Sequence, residues 1–407
     1  MAGVSGISAV QTQPFGGGIK WLLRDEFSDT RAAGAVNGTP TTPGPGTRVV
    51  VENDGQFTIS GGVLNIPIQA TPDAGDLGFY LSPSIVRVAG RVFLYSIAKG
   101  DANIISGVGW ASSVLLLMNS RDAMLQFSGV AQIDLRANNA AIQIANIGTL
   151  TGTDDIVAIV LSTAGAYYFL NNELLYRTAS SIRTPEYAAI VGYSGIGTSS
   201  WLRIPDALWL PTPLAHDTFT RANGALGSSE VLGPDGQATP ARTWVNRVGT
   251  TLVATNKAQA SALVGGVAIA TMDTGTADAI VSATLTRAGN EVGIILRYAD
   301  ADNYIRAIHD GTNCKLIKRV ATVETDVISA VVALGAGAIR VIPDGTSFAL
   351  YLNDAQVGAT STINDAALQT GTQQGLWSSN VGNTQDGFTV FPRGSNGEYA
   401  ALNRWSF

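Results

Sequence analysis

The sequence predicts an all-β protein made of two tandem antiparallel β-sandwiches, and three observations predict it. Only 14% of the 407 residues are charged, against roughly 25% in an average globular chain, which leaves little material for solvent-facing helices. Apolar and β-branched runs of strand length recur about every 8–12 residues between Gly, Pro, Asn and Asp, the rhythm of a sandwich or jelly roll and not of βαβ units. The chain also repeats itself in order, and a repeat fixes the number of units before any element is assigned.

The first copy opens at Leu23-Arg24-Asp25-Glu26-Phe27-Ser28 and the second at Ala215-His216-Asp217-Thr218-Phe219-Thr220, each followed by a Gly/Pro/Thr-rich loop (34–46 and 224–240). Strands resume at Thr47-Arg48-Val49-Val50-Val51 and, in the matching place, at Thr243-Trp244-Val245-Asn246. Residues 61–66 alternate as a half-buried strand does. Next come consecutive core strands, 91–96 with 106–110 in the first copy and 279–284 with 292–296 in the second. Tyr168-Phe169-Leu170-Asn171-Asn172 is echoed by Leu350-Tyr351-Leu352-Asn353-Asp354; Asn and Asp tolerate positive φ, so each pair forms a two-residue hairpin turn. Each copy closes alike, on Ile190-Val191-Gly192-Tyr193 and a strand over 206–211, then on Gly375-Leu376-Trp377 and a strand over 386–392. Only 181–189 and 364–369 suit a helical turn. The division that follows is an extended N-terminal arm (1–20), a first sandwich (21–212), a second (213–392) and a C-terminal tail (393–407), with Pro211-Thr212-Pro213 as a stiff linker. A unit of roughly 200 residues buries about 70% of its unfolded surface and needs no staples.

Composition excludes several classes. A net charge of −6 without a basic run lacks the electrostatic footprint of a nucleic-acid partner. Cys314 has no second cysteine to pair with, and His216 and His309 have no neighbour at zinc spacing. The longest apolar stretch, 330–339, holds two glycines and falls short of the ~18 residues of a membrane span. Residues 1–19 carry no Lys or Arg and no apolar h-region, so no secretory signal is expected and synthesis is expected in a cytoplasm.

The Asp-x-Phe opening, the stretch Arg297-Tyr298-Ala299-Asp300-Ala301-Asp302-Asn303-Tyr304, the Tyr-Leu-Asn hairpin and the Gly-Leu-Trp near the end carry a resemblance. The second copy resembles the concanavalin A-like lectin/glucanase superfamily in its laminin G-like, jelly-roll form. The first is similar in strand order and in its Asn171-Asn172 hairpin but lacks the Arg-Tyr-x-Asp stretch. In tandem, the two copies resemble the domains found in structural proteins of tailed bacteriophages, and the resemblance implies a role of that kind.

Hydrolases of that superfamily place Glu-x-Asp-x-(x)-Glu on one strand, so that alternation turns the carboxylates to one face, about 5–5.5 Å apart. The nearest approach here is Glu324-Thr325-Asp326, with Ser329 and its neighbours where the second glutamate belongs, and no enzyme is expected. Gly192-Tyr193-Ser194-Gly195-Ile196 lacks the last glycine of a nucleophile elbow and a nearby histidine. Calcium is the one candidate cofactor: if the first and last strands of each copy lie side by side, as the resemblance implies, Asp25 meets Asp206 and Asp217 meets Asp386. Two oxygen donors per copy are few against the six to eight that calcium takes, and the competing reading is turn capping. Asp300, Asp302 and Asn303 are a second polar cluster. Trp201 and Trp377, beside Gly/Ser/Thr-rich loops, are the candidates for stacking on a sugar, whereas Trp209 and Trp244 are expected in the cores.

A lectin-like fold without signal peptide, disulfide or active site suits a particle assembled in a host cytoplasm. The expected function is a non-enzymatic virion structural protein of a tailed bacteriophage, decorating the capsid or forming part of the tail and docking on other virion proteins through its N-terminal arm. The alternatives are a lectin-type adhesion or receptor-binding protein for cell-surface glycan and, third, a glycoside hydrolase. Open sheet edges allow a homo-oligomer.

Overall fold

The computed structural model describes residues 20–32, 35–51, 57–66, 77–99, 105–111, 121–128, 132–137, 144–150, 155–163, 165–178, 186–194, 197–333, 336–394, 399 and 402. Among them the chain is two tandem antiparallel jelly-roll sandwiches, built from a nine- and a seven-stranded sheet and then a ten- and a seven-stranded sheet. The sequence repeat is a topological repeat. Across the first seven-stranded sheet run Ile144–Thr149, Gln132–Ala137, Arg121–Ser128, Ile105–Ala111, Glu186–Ser194, Leu77–Ile85 and Thr47–Val51. Across the second run Val323–Val331, Asn313–Val320, Asn303–His309, Val292–Asp300, Gln373–Ser378, Ala268–Asp273 and Val245–Val248, each at the same place in its copy.

The hairpins form where the Asn pairs stand: Asn171 and Asn172 have φ of 49° and 68°, Asn353 and Asp354 of 51° and 64°, the left-handed geometry whose twist matches that of the flanking strands. First and last strands do lie side by side, Trp21–Asp25 against Leu202–Pro205 and Ala215–Asp217 against Thr384–Pro392. Two expectations are corrected. The closing strand of the first copy is Leu202–Pro205, not 206–211: Asp206 turns to pair with Lys20 at 3.2 Å, and beyond it Leu208 makes only an isolated bridge to Arg91. Residues 186–189 belong to the strand Glu186–Ser194, and the helical turn near 364–369 shrinks to a 3-10 turn, Ala366–Leu368.

Alternation fills both interiors. In the first, Phe93 and Tyr95 of one sheet face Trp110 of the other, with Phe93 and Trp110 centroids 5.7 Å apart. In the second, Ile294, Leu296, Ile305 and Leu316 meet Val281, Val341, Leu350 and Phe388. Trp244 packs edge-on to Phe388 at 5.1 Å, inside as expected, while Trp209 is half-buried beside Phe169 and Tyr399. Cys314 lies in the second core, where burial pushes its thiol up to about 12.

Candidate functional site

In the second seven-stranded sheet the residues out of step with the core form an apolar cluster of their own, on the face turned away from the sandwich interior: Ile269, Ile295, Tyr298, Tyr304, Ile308, Ile317 and Trp377. A polar ladder lies over it. Arg306 sits 4.3 Å above the Trp377 ring and forks onto Glu324, with Nη1 and Nη2 donating to its two carboxylate oxygens at 2.6 and 3.0 Å. Glu291 stands 3.5 Å from Arg306 and accepts the Trp377 indole N–H at 3.2 Å. Arg319 covers Tyr304 at 5.8 Å and joins Glu324 at 3.1 Å and Asp302 at 3.6 Å. Lys315 bridges Asp310 and Asp326 at 3.3 and 3.4 Å. Arg247, over Tyr298, donates to Gln373 at 2.5 Å.

Burial alone would raise the Glu324 carboxyl, but the hydrogen bonds and charge of Arg306, then of Arg319, outweigh it and hold the group below the ordinary glutamate range. The carboxylate therefore stays ionised near neutrality. Burial raises the Tyr304 and Tyr298 hydroxyls. Glu324 keeps 35% and Arg319 26% of their side-chain surface in solvent. The arrangement is a row of fixed acceptors and donors, partly exposed, over an aromatic floor.

The predicted stacking residues fare differently. Trp377 is only 2% exposed and lies under Arg306, so it is floor and not platform; the Gly/Ser/Thr-rich sequence beside it hid a strand position. Trp201 is half-buried, with Arg203 4.4 Å over its ring. Arg203 lies 5.9 Å from Trp21 as well and forks onto Glu26, both contacts at 2.7 Å.

The aspartates proposed for calcium are not gathered into a site. Asp25 sits opposite Leu202, at the far end of the strand pair from Asp206. Asp25 is fully buried and receives Arg48 Nε at 2.5 Å, Arg48 Nη2 at 2.7 Å and the Phe27 N–H at 3.0 Å. Asp217, equally buried, receives Arg221 at 2.7 and 2.9 Å, the Trp244 indole N–H at 2.7 Å and the Phe219 N–H at 2.8 Å. The repeat had aligned Arg48 with Trp244, and each serves the opening aspartate of its own copy, Asp25 and Asp217. The Asp-x-Phe motif is thus a staple that bends the chain after the first strand, with Phe27 and Phe219 at positive φ (46° and 55°). Asp386 accepts the N–H of Gly387 at 2.7 Å. Among the described residues no three His, Cys, Asp or Glu are grouped as a metal would need.

Other candidates resolve into local structure. Asp300 caps its hairpin through the Asp302 N–H at 2.8 Å and Asn303 at 3.0 Å. His309 accepts the Gly311 N–H at Nδ1, 2.9 Å, and its Nε2 lies 2.6 Å from the Val332 carbonyl. His216 pairs with Thr389 at 2.9 Å. The side chain of Ser194 lies outside the described residues, as do the Trp405-Ser406-Phe407 tip and residues 1–19. A groove of about 280 Å³ on the first sandwich, lined by Leu22, Pro83, Ile85, Val86 and Val88, has Arg91 at one side, which Asp206 and the Pro205 carbonyl hold at 3.9 and 3.3 Å. The arginines that organise each of these places were not singled out in the sequence, where an isolated Arg carries no motif.

No protein-family profile and no curated protein matches the chain. Solved structures similar to parts of it include a carbohydrate-binding module from Bacillus subtilis (17% identity, 37% of this chain and 92% of that one, TM-score 0.29). Others are the Emp46p carbohydrate recognition domain (7%, 47% and 100%, TM-score 0.31) and a putative beta-glucanase from Mycobacterium abscessus (9%, 45% and 99%, TM-score 0.32). Those structures belong to the concanavalin A-like jelly-roll type, and at such identities no ligand or activity passes from them to this chain.

Proposed function

We propose that the chain is a non-catalytic glycan-binding protein whose ligand face is the outer face of the second seven-stranded sheet. The observation that carries this reading is the Arg306–Glu324–Arg319 ladder over Trp377 and Tyr304. Sugars offer adjacent hydroxyls that paired, immobile carboxylates and guanidinium groups match from both sides, and apolar ring faces that suit an aromatic floor. A retaining glycosidase needs one carboxyl raised to act as acid beside another that stays ionised. Here Glu324 is lowered by arginine and Asp326 is tied to Lys315, which favours binding over hydrolysis. Nothing in the fold or in the comparisons favours a virion over another setting for such a protein, and the arm expected to attach it, residues 1–20, falls outside the described residues up to 19.

A glycan array probed with the full chain, followed by titration calorimetry on any hit, tests the reading. Arg319→Ala, a partly exposed member of the ladder, is expected to weaken binding about tenfold with an unchanged circular dichroism spectrum. Sugar release from a polysaccharide panel, or binding that ignores every ladder substitution, overturns it.

A further inference from the structure

Several strands of the second sandwich carry one apolar residue out of step with their core. In Ser347–Leu352, Phe348, Leu350 and Leu352 point inward and Tyr351 outward; in Thr384–Pro392, Phe388 and Val390 point inward and Phe391 outward. Ile280 beside Val281 and Ile342 beside Val341 repeat the pattern. These outward residues are buried in the apolar cluster of the first sandwich. The first sandwich meets them with a strand, Ala166–Leu170, whose five residues are all buried, on both faces. A strand of an isolated sandwich shows alternation, and one covered on both faces reads as a continuous apolar run. Tyr167 packs edge-on to Phe391 and Tyr176 to Tyr351, each at 5.4 Å.

Polar groups lock this contact as well. Asp235, with 1% of its side chain exposed, accepts the Tyr167 hydroxyl, Arg177 at 3.2 Å and the Thr163 N–H at 2.9 Å. Asp354, in the second hairpin, accepts the Tyr176 hydroxyl at 2.5 Å and Arg340 at 3.2 Å. Arg393 and Leu174 also exchange hydrogen bonds across it, the Leu174 N–H donating to the Arg393 carbonyl at 2.8 Å and Arg393 Nη1 to the Leu174 carbonyl.

We infer that the outer faces of the nine- and ten-stranded sheets are a matched interaction surface that holds the two sandwiches together without the linker, making one four-layer body. Its seven-stranded sheets are outermost and face apart. The face that carries the Arg306–Glu324–Arg319 ladder over Trp377 is then turned away from the first sandwich and left open to a ligand. This holds whether or not the ligand is a glycan.

The test is made on the full chain with a flexible loop bearing a protease site inserted after Thr212, which is exposed between two buried prolines. After cleavage the two pieces are expected to co-elute at the size of the intact chain and to melt in one transition. In the cleaved chain, Asp235→Ala combined with Asp354→Ala is expected to raise the dissociation constant at least about tenfold, with each sandwich's β signal retained. Pieces that elute apart, or precipitate once cut, overturn the inference. A dissociation constant unmoved by the double substitution overturns the assignment of the two carboxylates as locks.

Discussion

At positions 25 and 217 a buried aspartate performs one task with different partners, and that difference sets what each substitution does. Asp217 holds Arg221, the Trp244 indole and the Phe219 amide, so Asp217→Ala strands a buried indole donor and frees a positive-φ turn. A loss of about 3 kcal/mol is expected, the usual scale for breaking a buried charged network, read as a drop in the urea midpoint of the second sandwich. The same saturation of oxygens by N–H groups leaves neither Asp25 nor Asp217 free for calcium, and EDTA is expected to leave the melting temperature unchanged. His216 gives a pH dependence. Burial, the largest influence, holds its imidazole below the ordinary value despite Glu230. The native state therefore favours the neutral ring, and stability is lost as pH falls from about 6.5 through the depressed native value. Melting temperatures at pH 7 and pH 5 are expected to differ more for the wild type than for His216→Gln. The Asp-x-Phe motif was legible in sequence as a repeated opening; its arginine partner Arg48, 23 residues away in the first copy, was not, because nothing local marks which strand a charge will cross.

Elements were more legible than contacts, because turn chemistry is local. Asn171 and Asn353 stand at the same place in their hairpins and do the same two things. Each adopts the left-handed backbone, and each uses its side-chain oxygen to take the first free amide of the neighbouring strand, Ile156 N–H and Ala338 N–H, both at 2.8 Å. The Asn–Asn and Asn–Asp pairs predicted the turn; the strand-to-strand hydrogen bond was invisible, since it depends on a partner 15 residues upstream. The two contributions separate by mutation. Asn353→Gly keeps the backbone and loses only the hydrogen bond, about 1 kcal/mol, while Asn353→Ala loses both and costs about 1 kcal/mol more. Equilibrium denaturation of the two variants side by side checks the order. The closing strand of the first copy was misplaced for a related reason: Asp206-Ala207-Leu208 looks like its counterpart Asp386-Gly387-Phe388, but Pro205 and Pro211 remove the amides that would extend a ladder there.

The whole molecule also left a mark in the sequence that is plain once the layers are known. Residues 156–161 (Ile-Val-Ala-Ile-Val-Leu) and 166–170 (Ala-Tyr-Tyr-Phe-Leu) do not alternate, whereas 347–352 in the second copy does at its start. Strict tandem sandwiches on a stiff linker would not need both faces of one copy to be apolar, and the continuous runs are the sign that something covers the first sandwich from outside. If the second sandwich is that cover, a cavity made in one should loosen the other. Phe391 lies in the last strand of the second sandwich and packs on Tyr167 of the first, with 4% of its surface exposed. Phe391→Ala removes a large buried ring at the junction and is expected to cost about 3–5 kcal/mol. Amide exchange locates the effect: protection is expected to fall in Ala166–Leu170, although no residue there has changed, alongside the strand that carries the substitution. A fall confined to the second sandwich would mean that the facing apolar surfaces contribute nothing to each other's stability, and the double burial of Ala166–Leu170 would then need another cause.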